Sequence, residues 1–501
     1  MSSGSIVLVT LVAAVTIVGF LAARWGRANL TSIEEWALGG RRFGTVVSWF
    51  LLGGDLYTAY TFVAVPALIY GVGALAFFAV PYATIAYPIA LIVLVRFWGI
   101  ARKRGYVTTA DFVRDRYGDR ALEIAVAVTG VAAAMPYIAL QLVGMKVVFA
   151  QFGGLFAAHD GLPALTVAFA LLAAYTYTSG LRAPALIAFV KDALIYVTVI
   201  AAILVIPGKL GGWAHVFAAS AAVLAARPKP ASIFLAQPQY FTYATMAFGS
   251  ALSLFIYPHS ITSVLAARSK DVIRRNAALL PVYSLLLGLL ALLGYCALAA
   301  GIKVGPQESS SVVPLLFARF FPDWFAGVAG AAVVIGALVP AAIMCIGAAN
   351  LFASNVFREF SAERAPVETR VARLLTIAMC AGALLVIFFL PVPYAIDFQL
   401  LGGALMLQIF PAFVLGLWTR RFHPRALLAG WAAGLIASCA MAYSGGFGSN
   451  FTLHLFGNAV TGFIALYALF VNLIVATAAT AIFQKLGLHA GLDRTSAGDY
   501  A

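Results

Sequence analysis

The chain has 501 residues, of which 63% are hydrophobic and only 10% are charged, with a mean hydropathy of +0.98. Soluble domains contain about 45–50% apolar and about 25% charged residues, so the composition excludes a soluble enzyme and a disordered chain. The four cysteines lie apart in apolar stretches without metal-ligand spacing, which excludes a disulfide-stapled fold. The net charge of +14 is typical of the cytoplasmic loops of a membrane protein rather than of nucleic-acid binding. We therefore expect an all-α protein in a lipid bilayer.

Apolar stretches of about 20 residues recur along the chain and predict thirteen transmembrane helices. The first lacks the basic start and the cleavage site of a signal peptide, and is interpreted as a retained helix. Residues 208–239 are expected to carry a short surface helix. The predicted spans are residues 5–23, 45–71, 74–97, 123–151, 162–179, 184–207, 240–264, 279–301, 324–354, 370–391, 397–418, 425–444 and 456–484.

The basic residues predict the orientation of these helices. With the N-terminus outside, 25 of the 32 Lys and Arg residues fall on the cytoplasmic side and five on the outer side. Lys and Arg concentrate in cytoplasmic loops, so we expect an outside N-terminus and an inside C-terminus. An error of one helix would destroy this distribution, which therefore also supports the count of thirteen.

The second predicted span carries two glycines and an acidic residue at its centre, residues 51–59 (LLGGDLYTA). Gly53 and Gly54 weaken a helix, and Asp55 is costly at membrane depth unless it serves a function. Two interpretations remain. Either the helix breaks here and opens a binding site, or the glycines mediate a close helix contact and Asp55 caps the break.

The seventh predicted span has a matching weakness at residues 248–253 (FGSALS), followed by Pro258. The two weak points lie five spans apart, in the second and seventh, and paired interruptions in two halves are typical of transporters built from inverted repeats. The single membrane domain, residues 1–501, is thus predicted to contain a first repeat at about 45–207, a second at about 240–418, and peripheral helices at 5–23 and 425–484.

Polar residues in two other spans are further candidates for function. Lys191 and Asp192 are adjacent in the sixth span. They form either an ion pair of little net stability or a site in which Lys191 faces the cavity and titrates. In the fourth span, Gln141 and Tyr137 precede Lys146 by about one and two helical turns and are expected to line the same cavity.

Three stretches resemble the sodium:solute symporter family. They are residues 179–183 (SGLRA) followed by Lys191 and Asp192, residues 258–269 (PHSITSVLAARS), and residues 402–412 (GGALMLQIFPA). Two more, residues 175–185 (YTYTSGLRAPA) and 336–344 (GALVPAAIM), are similar to the family's branch of lactate, pyruvate, acetate and alanine permeases.

This resemblance implies a LeuT-like five-plus-five inverted repeat and the uptake of small monocarboxylates by alternating access in the inner (plasma) membrane. It implies a coupling cation but no other cofactor, and neither a certain metal site nor a protein partner is implied. The charge pattern does not favour a nucleic-acid partner. A related symporter for pantothenate, an amino acid or a sugar is the alternative; a membrane sensor is expected to need more than the 17 residues after the last helix. The residues expected at the substrate are Gly53, Asp55, Tyr57, Thr58, Tyr137, Gln141, Phe248, Gly249, Ser250 and Ser253.

The expected cation site departs from the family's pattern. Sodium-coupled members hold the ion with carbonyls of the second helix and two hydroxyls on the ninth, whereas residues 333–350 contain no Ser or Thr. Because sodium requires oxygen ligands, we expect coupling to protons, with Lys191 or Asp55 titrating. Sodium coupling stays possible if Pro340 frees a backbone carbonyl. The residues expected to serve ion coupling are Gly53, Leu56, Lys191, Asp192, Gly336, Val339 and Pro340.

Overall fold

The structure is a computed structural model that describes residues 2–22, 30–54, 57–152, 161–361, 365–389, 395–455 and 457–500. It consists mainly of helices, joined by short loops and one β-hairpin. The helices of the first half are α1 (Ser3–Leu21), α2 (Ile33–Leu38), α3 (Thr45–Gly54), α4 (Val65–Val72), α5 (Ala79–Arg104), α6 (Thr109–Tyr117), α7 (Arg120–Phe152), α8 (Leu162–Ser179), α9 (Arg182–Lys209) and α10 (Trp213–Ala225).

The second half contains twelve further α-helices and the hairpin. These elements are α11 (Tyr240–Leu254), α12 (Pro258–Leu265), α13 (Lys270–Leu279), α14 (Pro281–Ala299), α15 (Val312–Phe320), α16 (Asp323–Phe352), α17 (Arg358–Phe360), α18 (Ala365–Phe389), α19 (Ala395–Leu407), α20 (Phe410–Phe413), α21 (Pro424–Ser444), β1 (Asn450–Leu455), β2 (Asn458–Phe463) and α22 (Ile464–Lys485). Single turns of π-helix occur at Tyr60–Ala64 and Ala353–Phe357, and 3₁₀-helix at Gly39–Arg41, Gly73–Phe78, Gln237–Gln239, Pro306–Ser311, Leu415–Leu417 and Ala497–Tyr500.

The described helices confirm a multi-pass membrane protein. Ten of them are long and apolar enough to cross a bilayer, or twelve when each of two bent helix pairs counts as one span. The predicted spans 45–71 and 74–97 meet at Gly73, where φ is 65° and ψ is −135° and the backbone leaves helical geometry. The count of thirteen and the orientation of the termini stay predictions.

The first predicted interruption is present. Helix α3 is described as far as Gly54, residues 57 and 58 form a bend, and a π-turn begins at Tyr60. Asp55 and Leu56, two of the predicted site residues, lie outside the described residues.

The second interruption lies further along the chain than the sequence predicts. Helix α11 is regular through Gly249 and Ser250 to Leu254, and the axis bends by 49° before Pro258. Proline has no amide hydrogen and disfavours helical geometry in the residue before it, so the break forms there. Glycine costs only about 1 kcal/mol in a helix, and Gly249 lets Phe463 approach; a methyl group there would lie 2.6 Å from its ring. The predicted break at residues 248–253 is therefore wrong in position.

Two other features depart from the prediction or were missed. The last span was predicted to begin at residue 456, but α22 begins at Ile464, because residues 450–455 and 458–463 pair before it as an antiparallel hairpin. Gly457, with φ of 83°, lies in the turn of this hairpin. The β-branched residues that pair between its two strands favour strand geometry. A second pair of helices, residues 399–407 and 410–417, was not predicted to be bent, but the two axes differ by 44°. The surface helix expected in residues 208–239 is confirmed as α10.

The chain after α22 is tied to the ends of α5 and α6 by charged contacts. Arg116 on α6 lies 2.8 Å from Asp493 and also donates to the Thr419 carbonyl at 2.7 Å. Arg104 at the end of α5 donates to Asp499 at 2.6 Å. The residues after Lys485 therefore form a strap, residues 486–500, across this face.

Replacing Arg116 with Ala is expected to destabilise the folded protein. The side chain is only 3% exposed, and loss of a hydrogen-bonded charge costs about 1–3 kcal/mol. We expect the midpoint of thermal unfolding in detergent, followed with a thiol-reactive dye, to fall by about 2–4 °C. Arg275→Ala, at an exposed position on α13, is the matched control. Equal midpoints for the two variants would contradict a stabilising strap.

Candidate functional site

A buried ion pair lies beside the first helix interruption. Lys191 and Asp192 on α9 are both fully buried, and the Lys191 Nζ lies 2.9 Å from an Asp192 carboxylate oxygen. The same ammonium donates hydrogen bonds to the carbonyl oxygens of Gly54, at 3.2 Å, and Tyr57, at 3.4 Å. Carbonyls at the end of a helix lack intrahelical partners, so the lysine satisfies groups that the break has freed.

The other Asp192 oxygen is held by a tyrosine. Tyr283 on α14 donates its hydroxyl hydrogen to Asp192 Oδ2 at 2.7 Å. The Tyr283 ring lies directly on Gly53, because a methyl group at this position would overlap its Cζ and Oη atoms. The Tyr57 ring packs on Tyr283 with centroids 4.6 Å apart, and the Tyr57 hydroxyl donates to the Tyr283 carbonyl. Gly53, Tyr57 and the ion pair thus form one packed unit, the lysine cluster (Gly53, Gly54, Tyr57, Lys191, Asp192 and Tyr283).

Helix α16 closes the other side of the lysine cluster. Gly336, Val339 and Pro340 are fully or almost fully buried, and a methyl group on Gly54 would come within 4.0 Å of Val339. Ile195, one turn after Lys191 on α9, faces Gly336. The helix continues through Pro340, which leaves the Gly336 carbonyl without its intrahelical donor. The predicted ion-coupling residues that the structure describes are therefore neighbours.

Two predicted residues cap the second half of the broken helix. Gln141 Oε1 accepts a hydrogen bond from the Ala59 amide at 2.9 Å, and its Nε2 donates to the Tyr137 carbonyl. Thr58 Oγ1 accepts from the Tyr60 amide at 3.0 Å. Side-chain oxygens at such positions satisfy the first free amides of a helix. Gln141 and Thr58 thus hold the restarted helix rather than present free polar atoms to a ligand.

A small cavity is lined by residues of the two interrupted helices and of two further helices, α5 and α19. Four of its polar atoms have no hydrogen-bond partner within the described part of the chain, although all four residues are buried. Buried polar atoms are nearly always paired with protein or ordered water. The cavity as it stands has room for about one water molecule, so a larger polar ligand reaches these atoms only when the cavity widens. The unpaired atoms are Tyr60 Oη, Ser250 Oγ, Tyr257 Oη and Gln399 Oε1. The lining residues are Tyr60, Tyr82, Ser250, Ser253, Leu254, Tyr257, Gln399, Leu400, Gly403 and Phe463.

The structure separates the predicted substrate residues, of which Thr58 and Gln141 lie at the restart of the first broken helix. Ser250 and Ser253 line the cavity, whereas Gly53 and Tyr57 belong to the lysine cluster. Phe248 points outward and is 47% exposed, so its placement in a binding break is wrong.

The sequence reasoning missed Tyr60, Tyr82, Tyr257 and Gln399. Two local signals mark some of them: Tyr257 precedes the proline of the break, and Gln399 is a polar residue within an apolar span.

The chain is similar to known transporters over most of its length. The profile of the Sodium:solute symporter family matches residues 36–434. A monocarboxylate transport permease protein of Rhizobium johnstonii is 50% identical over 471 residues, covering 93% of this chain and 94% of that protein. The uncharacterized symporter YodF of Bacillus subtilis is 34% identical over 438 residues, covering 85% and 86%.

Two solved structures share the fold. A Na⁺-coupled sialic acid symporter, in a substrate-bound outward-open state, matches with a TM-score of 0.77 and 16% identity, covering 96% of this chain and 98% of that chain. A nucleobase-cation-symport-1 family transporter in a closed conformation matches with a TM-score of 0.57 and 10% identity, covering 92% and 96%.

Proposed function

This chain belongs to the sodium:solute symporter family, and we propose that it imports small monocarboxylates together with protons. The family and the monocarboxylate permease that is 50% identical make the chain a multi-pass cation:solute symporter of the plasma membrane and not an enzyme. The observation that carries the proposal is the Lys191 ammonium, bound to two carbonyls of the interrupted helix.

The position of Lys191 supports protons as the coupling ion. A sodium ion at the interruption would need several oxygen ligands, and residues 333–350 of the facing helix provide no hydroxyl. A protonated lysine places a fixed positive charge against the same carbonyls. The ammonium balances the Asp192 charge and bonds the Gly54 and Tyr57 carbonyls, so the packing of α3 against α9 depends on this positive charge.

The unpaired atoms of the cavity suit a small carboxylate. The hydroxyls of Tyr60, Ser250 and Tyr257 can donate hydrogen bonds to carboxylate oxygens, which accept only. Gln399 Oε1 can accept a hydrogen bond from the hydroxyl of lactate. Aromatic walls exclude water and strengthen these bonds.

Transport then proceeds by alternating access of the cavity to the two sides. We infer that residues 45–207 and 240–418 form two inverted repeats with the N-terminus outside, because each has an interruption that borders the cavity or the lysine cluster and because basic residues concentrate on one side. Residues 5–23 and 425–484 are assigned as peripheral helices of the single domain.

Uptake of labelled pyruvate or lactate into proteoliposomes tests the coupling. An inward proton gradient is expected to drive accumulation without sodium, and an inward sodium gradient at equal pH is expected not to. Accumulation that requires sodium would contradict proton coupling and favour a rebuilt sodium site at the Gly336 carbonyl. No transport of either compound would favour the alternative, a symporter for pantothenate, an amino acid or a sugar.

Removing the amide at Gln399 is expected to weaken substrate binding. In Gln399→Leu, a cavity residue that is 8% exposed loses its polar atoms, and one such hydrogen bond is worth about 1 kcal/mol. We therefore expect the KM for lactate uptake to rise about fivefold, with a smaller change for pyruvate, which has no hydroxyl. Gln484→Leu, at the end of α22, is the control. An unchanged KM for lactate would contradict the position of the substrate.

A further inference from the structure

A histidine without hydrogen-bond partners lies next to the cavity. His259 is the second residue of α12 and is fully buried. Neither ring nitrogen has a partner among the described residues. The ring packs between Tyr137 and Tyr257, with centroid distances of 5.5 Å and 5.2 Å. A buried imidazole that makes no hydrogen bond loses its hydration without compensation, so its presence requires an explanation.

The free imidazole lies at an uncapped helix start. Helix α12 begins after Tyr257 without a side-chain cap, and Pro258 has no amide hydrogen. The amides of the first turn, those of His259 and Ser260, have no acceptor within the helix. The first broken helix differs, because Gln141 and Thr58 cap its restart. Among the described residues, the helix start at His259 therefore has no side-chain cap, in contrast to the start after Thr58.

Neighbouring residues hold this helix start in place and connect it to the cavity. Pro258 lies against α16, where a methyl group on Gly347 would come within 2.8 Å of its backbone and 3.0 Å of the His259 amide nitrogen. Tyr257 contacts the His259 ring with one part of its side chain and lines the cavity with another. The Tyr257 side chain therefore separates the cavity from His259.

We propose that His259 and the first-turn amides of α12 form a second site for the substrate carboxylate, which the substrate reaches when the Tyr257 ring moves aside. This proposal rests on the proposed function, since its ligand is the same small monocarboxylate. Either tautomer of the neutral imidazole carries one N–H, and since neither nitrogen is engaged, that N–H can donate to a carboxylate oxygen. The positive end of the α12 dipole adds to the attraction of an anion. A neutral solute of the same shape gains much less from this site.

Comparing a carboxylate with its neutral amide tests the site. In proteoliposomes, His259→Phe is expected to lower the kcat/KM for pyruvate about tenfold, the range for one charge-assisted hydrogen bond. Pyruvamide is used as a competitor of pyruvate uptake, and its inhibition constant is expected to be the same in His259→Phe as in the unmodified protein. The preference of the variant for pyruvate over pyruvamide is therefore expected to fall. His259→Gln retains an N–H donor and is expected to stay within about threefold of the unmodified protein. His454→Phe, on the exposed hairpin, is the matched control.

The outcomes separate this site from the proposed function. Unmodified protein that transports neither pyruvate nor lactate would overturn both. Two results would overturn only the second site, provided that the unmodified protein transports pyruvate. One is a normal kcat/KM in His259→Phe. The other is an equal loss of kcat/KM in the Phe and Gln variants with an unchanged preference for pyruvate over pyruvamide. Size-exclusion profiles report whether each variant is folded. If the Phe variant is not monodisperse, His259→Asn, which keeps an N–H donor, is compared with His259→Ala, which lacks one.

Discussion

Lys191→Met is expected to abolish proton-driven uptake of pyruvate while leaving protein in the membrane. The ammonium contacts Asp192 and the carbonyls of Gly54 and Tyr57, and methionine has a similar length but neither charge nor donor. We expect the loss because the proposed coupling depends on the Lys191 charge at the interruption. Uptake into proteoliposomes with a pH gradient, compared with exchange at equal pH, measures the loss.

Stability must be separated from coupling in this variant. Removing one partner of a buried ion pair costs about 3–5 kcal/mol, because the remaining charge is left unpaired. Lys191→Met combined with Asp192→Asn removes both charges and is expected to restore the thermal midpoint but not proton-driven uptake. Lys146→Met, at a half-buried position on α7, is the matched control. Full pH-driven uptake by the double variant would contradict the role of Lys191.

Gly53→Ala is expected to lower transport more than tenfold, which corresponds to more than about 1.4 kcal/mol. The added methyl group would overlap the Tyr283 Cζ and Oη atoms and lie 2.6 Å from its Cε1. Displacement of the ring would break the 2.7 Å hydrogen bond from Tyr283 to Asp192, and overpacking of this kind costs about 1–3 kcal/mol. Initial uptake rates, normalised to folded protein, provide the measurement.

A glycine on α4 provides the control for this substitution. Gly71 is exposed and has no other atom within 4 Å of an added methyl group, so Gly71→Ala is expected to transport at the normal rate. If Gly53→Ala also retains normal transport, the contact between α3 and Tyr283 is not required and the lysine cluster does not act as a unit.

Composition, the length of the apolar runs and a few short motifs were sufficient to predict the membrane class, the family and the existence of two interrupted helices. These properties depend on local quantities. An apolar run of about 20 residues has no stable place other than a bilayer or a large core, and Gly53, Gly54 and Pro258 weaken helices wherever they occur. That Gly53 and Lys191 serve one ion-coupling site was expected only through the family resemblance.

The site residues depended on packing between distant segments. Tyr60, Tyr257 and Gln399 lie in three different spans, and nothing in the apolar pattern indicates which face of each span meets the others. Phe248 and Ser250 are only two residues apart, yet one is 47% exposed and the other is 7% exposed and lines the cavity. In a bilayer the lipid-facing and protein-facing surfaces of a helix are both apolar, so hydrophobic periodicity does not distinguish them. The free nitrogens of His259 and the capping by Gln141 were likewise decided by tertiary contacts, because hydrogen bonds between spans depend on which side chains the fold brings within about 3 Å.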